Sequence, residues 1–299
     1  MSLASFAVPR PWVDRTGRFS GLKLACFVLC VAPGLWVLWQ YYSGEYPVRP
    51  VTELIHHIGD WAMRFLIATL AITPLRRAAQ YPKLINIRRM LGLTTLAYAA
   101  IHFSLYIIDQ KFDLIHVAAE IVLRFYLTIG FIGFCCLCVL GWTSTDAAIR
   151  RMGALRWNRL HKLVYPIAVL ALVHFALQSK RDVTEAMTLM GLFILLMLAR
   201  RVDGKGTASP SLLLALAIGS GVLAALAEAA WYGVSSGIDP WRVLAANIDW
   251  EMLPRPWVWV AAAGLVLAGL RAWRGVKAGG RARGRVEGGV HVHQEGVVG

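Results

Sequence analysis

Long apolar runs separated by short polar segments recur along this chain of 299 residues. A helix of about 20 apolar residues crosses the roughly 30 Å hydrocarbon core of a bilayer. The pattern predicts eight such spans, of which the fifth and sixth are short: residues 22–42, 54–75, 90–108, 125–142, 163–178, 186–199, 212–232 and 257–273. The predicted fold is therefore all-α, a polytopic transmembrane helix bundle.

Basic residues fall in alternate gaps between these spans. Clusters of Lys and Arg precede the first span and follow the second, fourth, sixth and eighth, whereas the other loops are nearly balanced or mildly acidic. Because cytoplasmic loops retain positive charge, we expect both termini to lie in the cytoplasm.

Composition agrees with an integral membrane protein. Hydrophobic residues make up 58% of the chain and the mean hydropathy is +0.56, well above what a soluble domain with a polar surface shows. The net charge of +14 is explained by this topology and by anionic membrane lipid. It therefore predicts no nucleic-acid partner.

Two histidines lie deep inside predicted spans. His102 is in the third span and His174 in the fifth, and both spans run outward, so the two reach a similar depth near the outer leaflet. Ionisable groups at membrane depth are costly and usually face the bundle interior. Two neutral imidazoles at matched depth can ligate one haem iron from both faces. The alternative is a pair of buried structural histidines, each bonded to a backbone carbonyl.

A third histidine, His161, lies near the cytoplasmic border, about 20 Å below His174 at helical rise. A second haem on this side would meet Arg88 on the third span, and a guanidinium is a poor iron ligand. Arg88 or Arg89 is better suited to clamp a haem propionate. On a straight helix His161 and His174 would point about 140° apart, and Pro166 between them would permit a kink.

The second predicted span begins with a polar face. Glu53, His57, Asp60 and Arg64 recur on one side of the helix, either as a mutually paired stripe or as a surface that faces a cofactor. His56 projects to the side of this stripe. Spacing leaves open whether either histidine ligates iron.

Three segments carry a resemblance to a known family: "HHIGDWAMRFLIATLAITPLRR", "NIRRMLGLTTLAYAAIHFSLY" and "GWTSTDAAIRRMGALRWNRLHKLVYPIAVLALVHF". Together they resemble the MsrQ (YedZ) family, haem-binding membrane subunits of bacterial protein-methionine-sulfoxide reductase systems. That family belongs to the wider ferric-reductase-like transmembrane group. The resemblance covers roughly residues 20–202 and six spans.

The resemblance implies one or two b-type haems (heme b) in a bacterial inner membrane. It places His102, His161 and His174, the candidate iron ligands, at the family's histidine positions and His56 at the histidine of its H-x-T-G element, where Ile58 replaces the threonine. It also implies FMN, a periplasmic MsrP-like molybdenum-cofactor enzyme as electron acceptor, and quinone or a cytoplasmic flavin reductase as donor.

The resemblance and the predicted spans divide the chain into four segments. These are a cytoplasmic N-terminal segment (1–21), a six-span haem-binding ferric-reductase-like domain (22–202), two additional transmembrane helices (203–275) and a disordered basic cytoplasmic tail (276–299). The additional helices contain no histidine, and we expect small residues of the seventh span, Gly219, Gly221, Ala225 and Ala229, to allow close helix packing.

Two other functions fit parts of this pattern. A terminal ferric or cupric reductase would usually need an attached FAD/NAD(P)H domain, and the chain has neither a long soluble stretch nor a G-x-G-x-x-G after a strand pattern. A haem-bearing membrane anchor or sensor without electron transfer fits the same histidines. The favoured hypothesis is an electron-transfer subunit of an oxidoreductase system rather than a complete enzyme.

Overall fold

The computed structural model describes residues 11–13, 17–179, 182–204 and 206–294, with the backbone alone for 250 and 276–294. Much of the predicted N-terminal segment 1–21 therefore lies outside the described residues. An isolated bridge joins Val13 and Phe19, and the other described elements are helices. The all-α prediction is confirmed.

Over the part of the chain that the structure describes, twelve α-helices follow one another. They are α1 (Gly21–Tyr42), α2 (Pro50–Ala78), α3 (Ile85–Asp109), α4 (Leu114–Leu123), α5 (Phe125–Trp142), α6 (Asp146–Met152), α7 (Ala154–Leu160), α8 (Val164–Gln178), α9 (Thr184–Val202), α10 (Pro210–Ser236), α11 (Pro240–Ile248) and α12 (Pro256–Gln294).

Seven segments within the described residues are long and apolar enough to cross a membrane. They correspond to seven of the eight predicted spans, all except the sixth. The sixth forms α9, but every 18-residue stretch of that 19-residue helix contains Glu185, Arg200 and Arg201. Whether α9 crosses the membrane stays a prediction, as does the cytoplasmic position of both termini.

The fifth span, predicted as residues 163–178, belongs to a longer segment, Ala154–Gln178, that is built from two helices. A 3₁₀ turn, His161–Leu163, separates α7 from α8. Pro166 lies in the first turn of α8, where a missing N–H leaves no helical hydrogen bond unmade. The helix geometry therefore changes at His161, before the proline, and not by a kink at Pro166.

The chain forms two compact units. The first comprises Met1–Leu70 and Leu84–Asp182, and the second comprises Ala71–Lys83 and Val183–Gly299. The division falls at Val183, whereas the six-span domain was expected to run to residue 202. The difference arises because α9 packs with α10 and α12.

In the first unit, α1 packs against α3 through one specific contact. The Tyr98 hydroxyl donates a hydrogen bond of 2.8 Å to the Cys30 carbonyl. Gly34 makes room for this ring, since a Cβ at that position would lie 2.8 Å from the Tyr98 hydroxyl. Tyr98 precedes His102 by one helical turn, so the contact orients the face of α3 that carries the histidine.

The second unit depends on close approach of α9, α10 and α12. Leu195, Ala217, Ala224 and Val260 form a fully buried cluster, and a Cβ on Gly191 would lie 2.6 Å from the Val260 side chain. Small residues at helix contacts let backbones approach closely in membranes. As expected, Gly221, Ala225 and Ala229 are buried; Gly219 faces open space instead.

A buried charge cluster joins α10 and α11 to the start of α12. Glu228 is fully buried, accepts a 2.9 Å hydrogen bond from the Asn247 amide and lies 3.3 Å from the Arg255 guanidinium. A buried carboxylate is stable only when it is paired in this way. Glu228 is therefore a structural link between these helices.

The basic tail differs from its prediction. The backbone of α12 stays helical through Gln294, where disorder was expected from residue 276. Extending an existing helix forms one hydrogen bond for each residue fixed and avoids the cost of nucleation. Residues 295–299 of the predicted tail lie outside the described residues.

Candidate functional site

His102 of α3 and His174 of α8 face each other in the first unit. Their ring centroids are 6.5 Å apart, with the ring planes at 83°. Both side chains are partly buried. The structure therefore brings together the two histidines that the sequence placed at matched depth.

Each of these imidazoles is held by a backbone carbonyl of another helix. Nδ1 of His102 lies 2.8 Å from the carbonyl oxygen of Ile55 in α2, and Nδ1 of His174 lies 2.8 Å from that of Tyr126 in α5. A carbonyl can only accept, so Nδ1 is the donor and the tautomer follows from this partner. Nε2 of each neutral ring then keeps its lone pair, which is the arrangement of a metal-binding histidine.

A glycine lies beside each imidazole. A Cβ at Gly59 would be 2.8 Å from Nδ1 of His102, and one at Gly130 would be 2.7 Å from Nδ1 of His174. In both cases the glycine follows the accepting carbonyl by four residues, so it lies on the same helix face one turn later. The sequence alone indicates no role for either glycine, although Gly59 is the glycine of the H-x-T-G element.

The spacing of the two rings fits one iron between them. Imidazoles on opposite sides of a metal have centroids roughly 6 Å apart, two bonds of about 2 Å plus half a ring at each end. The observed 6.5 Å matches this separation. The donor set and its outer hydrogen bonds therefore suit a haem iron, which His102 and His174 would hold.

His56 lies beside this pair but has a different partner. Its Nε2 is 3.4 Å from the side-chain amide nitrogen of Gln178. Gln178 follows His174 by one turn of α8. The neighbouring His57 stacks on Tyr46, and its Nδ1 is 3.7 Å from the Asp60 carboxylate. These contacts favour the paired polar stripe for His57, and a cofactor role for His56 stays a prediction.

His161 has another kind of environment. Its ring stacks on Trp157 at a centroid distance of 3.8 Å, and its Nε2 is 3.2 Å from the Thr143 hydroxyl. The Trp157 indole N–H donates to the Thr143 carbonyl, 2.9 Å away. Nε2, the nitrogen that His102 and His174 leave for a ligand, is at His161 engaged by a hydroxyl, which distinguishes this position from the pair.

Arg88 and Arg89, the two arginines predicted to bind a haem propionate, are adjacent in α3. Arg89 bonds the Asp146 carboxylate at 2.7 Å and the Ser144 carbonyl, which ties α3 to the start of α6. Arg89 is therefore already committed to protein groups, and the clamp role stays a prediction for both arginines.

Facing histidines held between membrane-length helices are typical of membrane cytochromes of the b type. A family model described as the ferric reductase like transmembrane component matches residues 58–172, which include His102 and end two residues before His174.

Comparison with curated proteins narrows this class. The chain is 39% identical over 186 residues to the protein-methionine-sulfoxide reductase heme-binding subunit MsrQ of Caulobacter vibrioides, a match that covers 62% of this chain and 89% of that relative. It is 37% identical over 190 residues to the same subunit of Rhodospirillum rubrum, with 63% and 89% covered. This chain belongs to the MsrQ family. No solved structure gives a match.

The glycines provide a test of the site geometry. We expect Gly59→Ala and Gly130→Ala each to displace an imidazole and break its bond to the carbonyl. Loss of such an outer hydrogen bond weakens metal affinity roughly 10- to 100-fold, so the haem content of the purified protein should fall. Pyridine haemochrome quantification measures this content.

Gly133→Ala is the matched control, because Gly133 lies in the same helix as Gly130 with nothing within 4 Å of its Cβ position. Haem content equal to that of the wild type in all three variants would contradict the assigned packing.

Proposed function

We propose that this protein is the haem b electron-transfer subunit of a methionine-sulfoxide reductase system in the bacterial inner membrane, with both termini cytoplasmic. It passes electrons from quinone or a cytoplasmic flavin reductase to a periplasmic MsrP-like molybdenum-cofactor enzyme, which reduces methionine sulfoxide in oxidised proteins. It is the electron-carrying part of that system and not a complete enzyme. We include FMN as a second cofactor of this protein, because the resemblance to the family implies it.

The observation that carries this proposal is the His102–His174 pair, 6.5 Å apart with both Nδ1 atoms bonded to carbonyls. A bound haem b would supply one-electron transfer at this position. The protein's own groups orient the two rings, because the carbonyls of Ile55 and Tyr126 hold each Nδ1–H and leave Nε2 as the unprotonated nitrogen.

The relatives support the rest of the proposal through their names. They are called heme-binding subunits of a protein-methionine-sulfoxide reductase, and a subunit that binds haem leaves the reduction of the sulfoxide to another subunit. Delivery of electrons from the haem-binding subunit to the sulfoxide-reducing subunit is the role that connects these two activities. Its direct test compares methionine-sulfoxide reduction by the periplasmic enzyme in membranes with and without this protein; equal rates would reject the proposal.

Replacing either member of the pair should remove the haem that they ligate. We expect His102→Ala and His174→Ala each to abolish the low-spin b-type signal in a reduced-minus-oxidised spectrum, because one imidazole cannot supply both axial ligands. Membrane insertion, checked by fractionation, should be unchanged. A wild-type spectrum in both variants would refute the pairing.

His161 should behave differently from this pair. Because its Nε2 is bonded to Thr143, we expect His161→Ala to alter or remove only part of the haem content and to leave the low-spin signal of the His102–His174 site. Haem quantification beside the spectrum separates the two effects. Identical loss in the His161 and His174 variants would indicate one haem that depends on all three residues.

The two additional helices should not be needed for haem. All proposed ligands lie in the first unit, so truncation after Gly206 should retain haem binding. We expect a lower thermal stability, because α9 would lose its packing against α10 and α12. A truncated protein that is inserted and folded but carries no haem would show that the additional pair belongs to the site.

A further inference from the structure

The second unit gathers arginines where the ends of α2 and α9 meet α12. Nη1 of Arg271 donates to the Arg77 carbonyl at 3.4 Å, and Nη1 of Arg77 donates to the Arg200 carbonyl at 3.3 Å. Arg76 precedes Arg77 by one residue, and Arg274 follows Arg271 by about one helical turn. These contacts bring residues from three separate parts of the sequence to one end of the unit.

Arg271 is the anchor of this arrangement and its charge is already paired. It is buried, lies 3.4 Å from the Asp203 carboxylate and donates through Nε to the Ala208 carbonyl at 3.1 Å. Asp203 also accepts from the Ala208 N–H at 2.8 Å. The Asp203 carboxylate is therefore committed to Arg271 and to the turn after α9.

The remaining charge at this end is strongly positive. Asp203 is the one acidic residue within the described residues 71–83, 199–204 and 268–275. Four other arginines at this end form a group that we call the arginine cluster: Arg76, Arg77, Arg201 and Arg274. Carbonyls at the helix C-termini offset part of this charge, but they supply no counter-ion of full charge.

Two members of the arginine cluster also have unmade hydrogen bonds. The Nε atoms of Arg76 and Arg274 are buried and have no hydrogen-bond partner. A buried donor of a charged group that lacks its partner is costly. Two such donors at one end of a unit with excess positive charge indicate that an anion completes the structure.

An aromatic contact indicates where this end lies. The Arg274 guanidinium is 5.1 Å from the centre of the Trp273 ring, and Trp273 is half exposed. Tryptophan next to arginine at the end of a membrane-length helix is typical of the level of the lipid headgroups. The anion that suits this depth belongs to a lipid.

We propose that the arginine cluster binds the phosphate of an anionic phospholipid headgroup. Guanidinium groups match phosphate oxygens with two parallel hydrogen bonds, and basic pockets between membrane helices bind such headgroups. α12 supplies both Arg274 and the anchoring Arg271. The additional C-terminal helices thereby complete a lipid site separate from the histidines.

The test measures stabilisation of the full-length protein by lipid. Wild-type protein in neutral detergent is titrated with phosphatidylglycerol, phosphatidylcholine or inorganic phosphate, and the thermal unfolding midpoint is followed. We expect phosphatidylglycerol alone to raise the midpoint. Each arginine near an anionic surface contributes about fivefold in binding, so Arg76→Gln/Arg274→Gln should shift the half-saturating concentration upward roughly 25-fold.

Arg242→Gln is the matched control, an exposed arginine of α11 in the same unit, and it should respond as the wild type does. An equal response to phosphatidylcholine, an equal response to inorganic phosphate, or an equal loss in the Arg242 variant would each overturn the proposal.

A second measurement avoids the variants, should the double substitution fail to fold. Phospholipid retained by the wild-type protein after detergent exchange is identified by mass spectrometry. Enrichment of phosphatidylglycerol over its fraction in the membrane supports the site. Retention of the two lipids in their bulk ratio overturns it.

Discussion

The arrangement of the first unit depends on satisfying imidazole N–H groups at membrane depth. No water is available in hydrocarbon, so a polar hydrogen must find a protein acceptor. His102 and His174 find theirs in the carbonyls of Ile55 and Tyr126, which already serve their own helices. A carbonyl has two lone pairs and can accept both bonds. These two hydrogen bonds connect α3 to α2 and α8 to α5, and they leave both Nε2 atoms available to a ligand.

Close helix approach is what makes those bonds possible. An imidazole reaches the backbone of another helix only where a side chain is missing, and Gly59 and Gly130 provide that gap on the two sides. The same device serves the second unit, where Gly191 lets α9 approach Val260 of α12. In both units packing of small residues replaces the hydrophobic driving force that lipid cannot supply. The first unit uses it to orient ligands, and the second to close a core.

Charge is handled differently in the two units. The first holds its paired imidazoles by backbone carbonyls, whereas the second buries the carboxylate of Glu228 against Arg255 and Asn247. Burying an ion pair is rarely stabilising in itself, but removing one partner is expensive. The second unit is therefore held by contacts that fail if any member changes. This makes α10 to α12 a distinct structural element and not an unstructured extension of the haem-binding part.

The sequence alone determined the helical membrane class, because runs of 20 apolar residues have few other solutions. It also identified His102 and His174, since ionisable residues are rare at that depth, and the family to which they belong. It did not determine that Thr143 engages His161, that Asp146 engages Arg89, or that α9 joins the second unit. Those contacts link residues distant in sequence, and their partners depend on helix rotation and spacing. The roles of Gly59 and Gly130 were also decided by the tertiary structure. A glycine matters here because a side chain of another helix lies where its Cβ would be, and the sequence does not show which side chain that is.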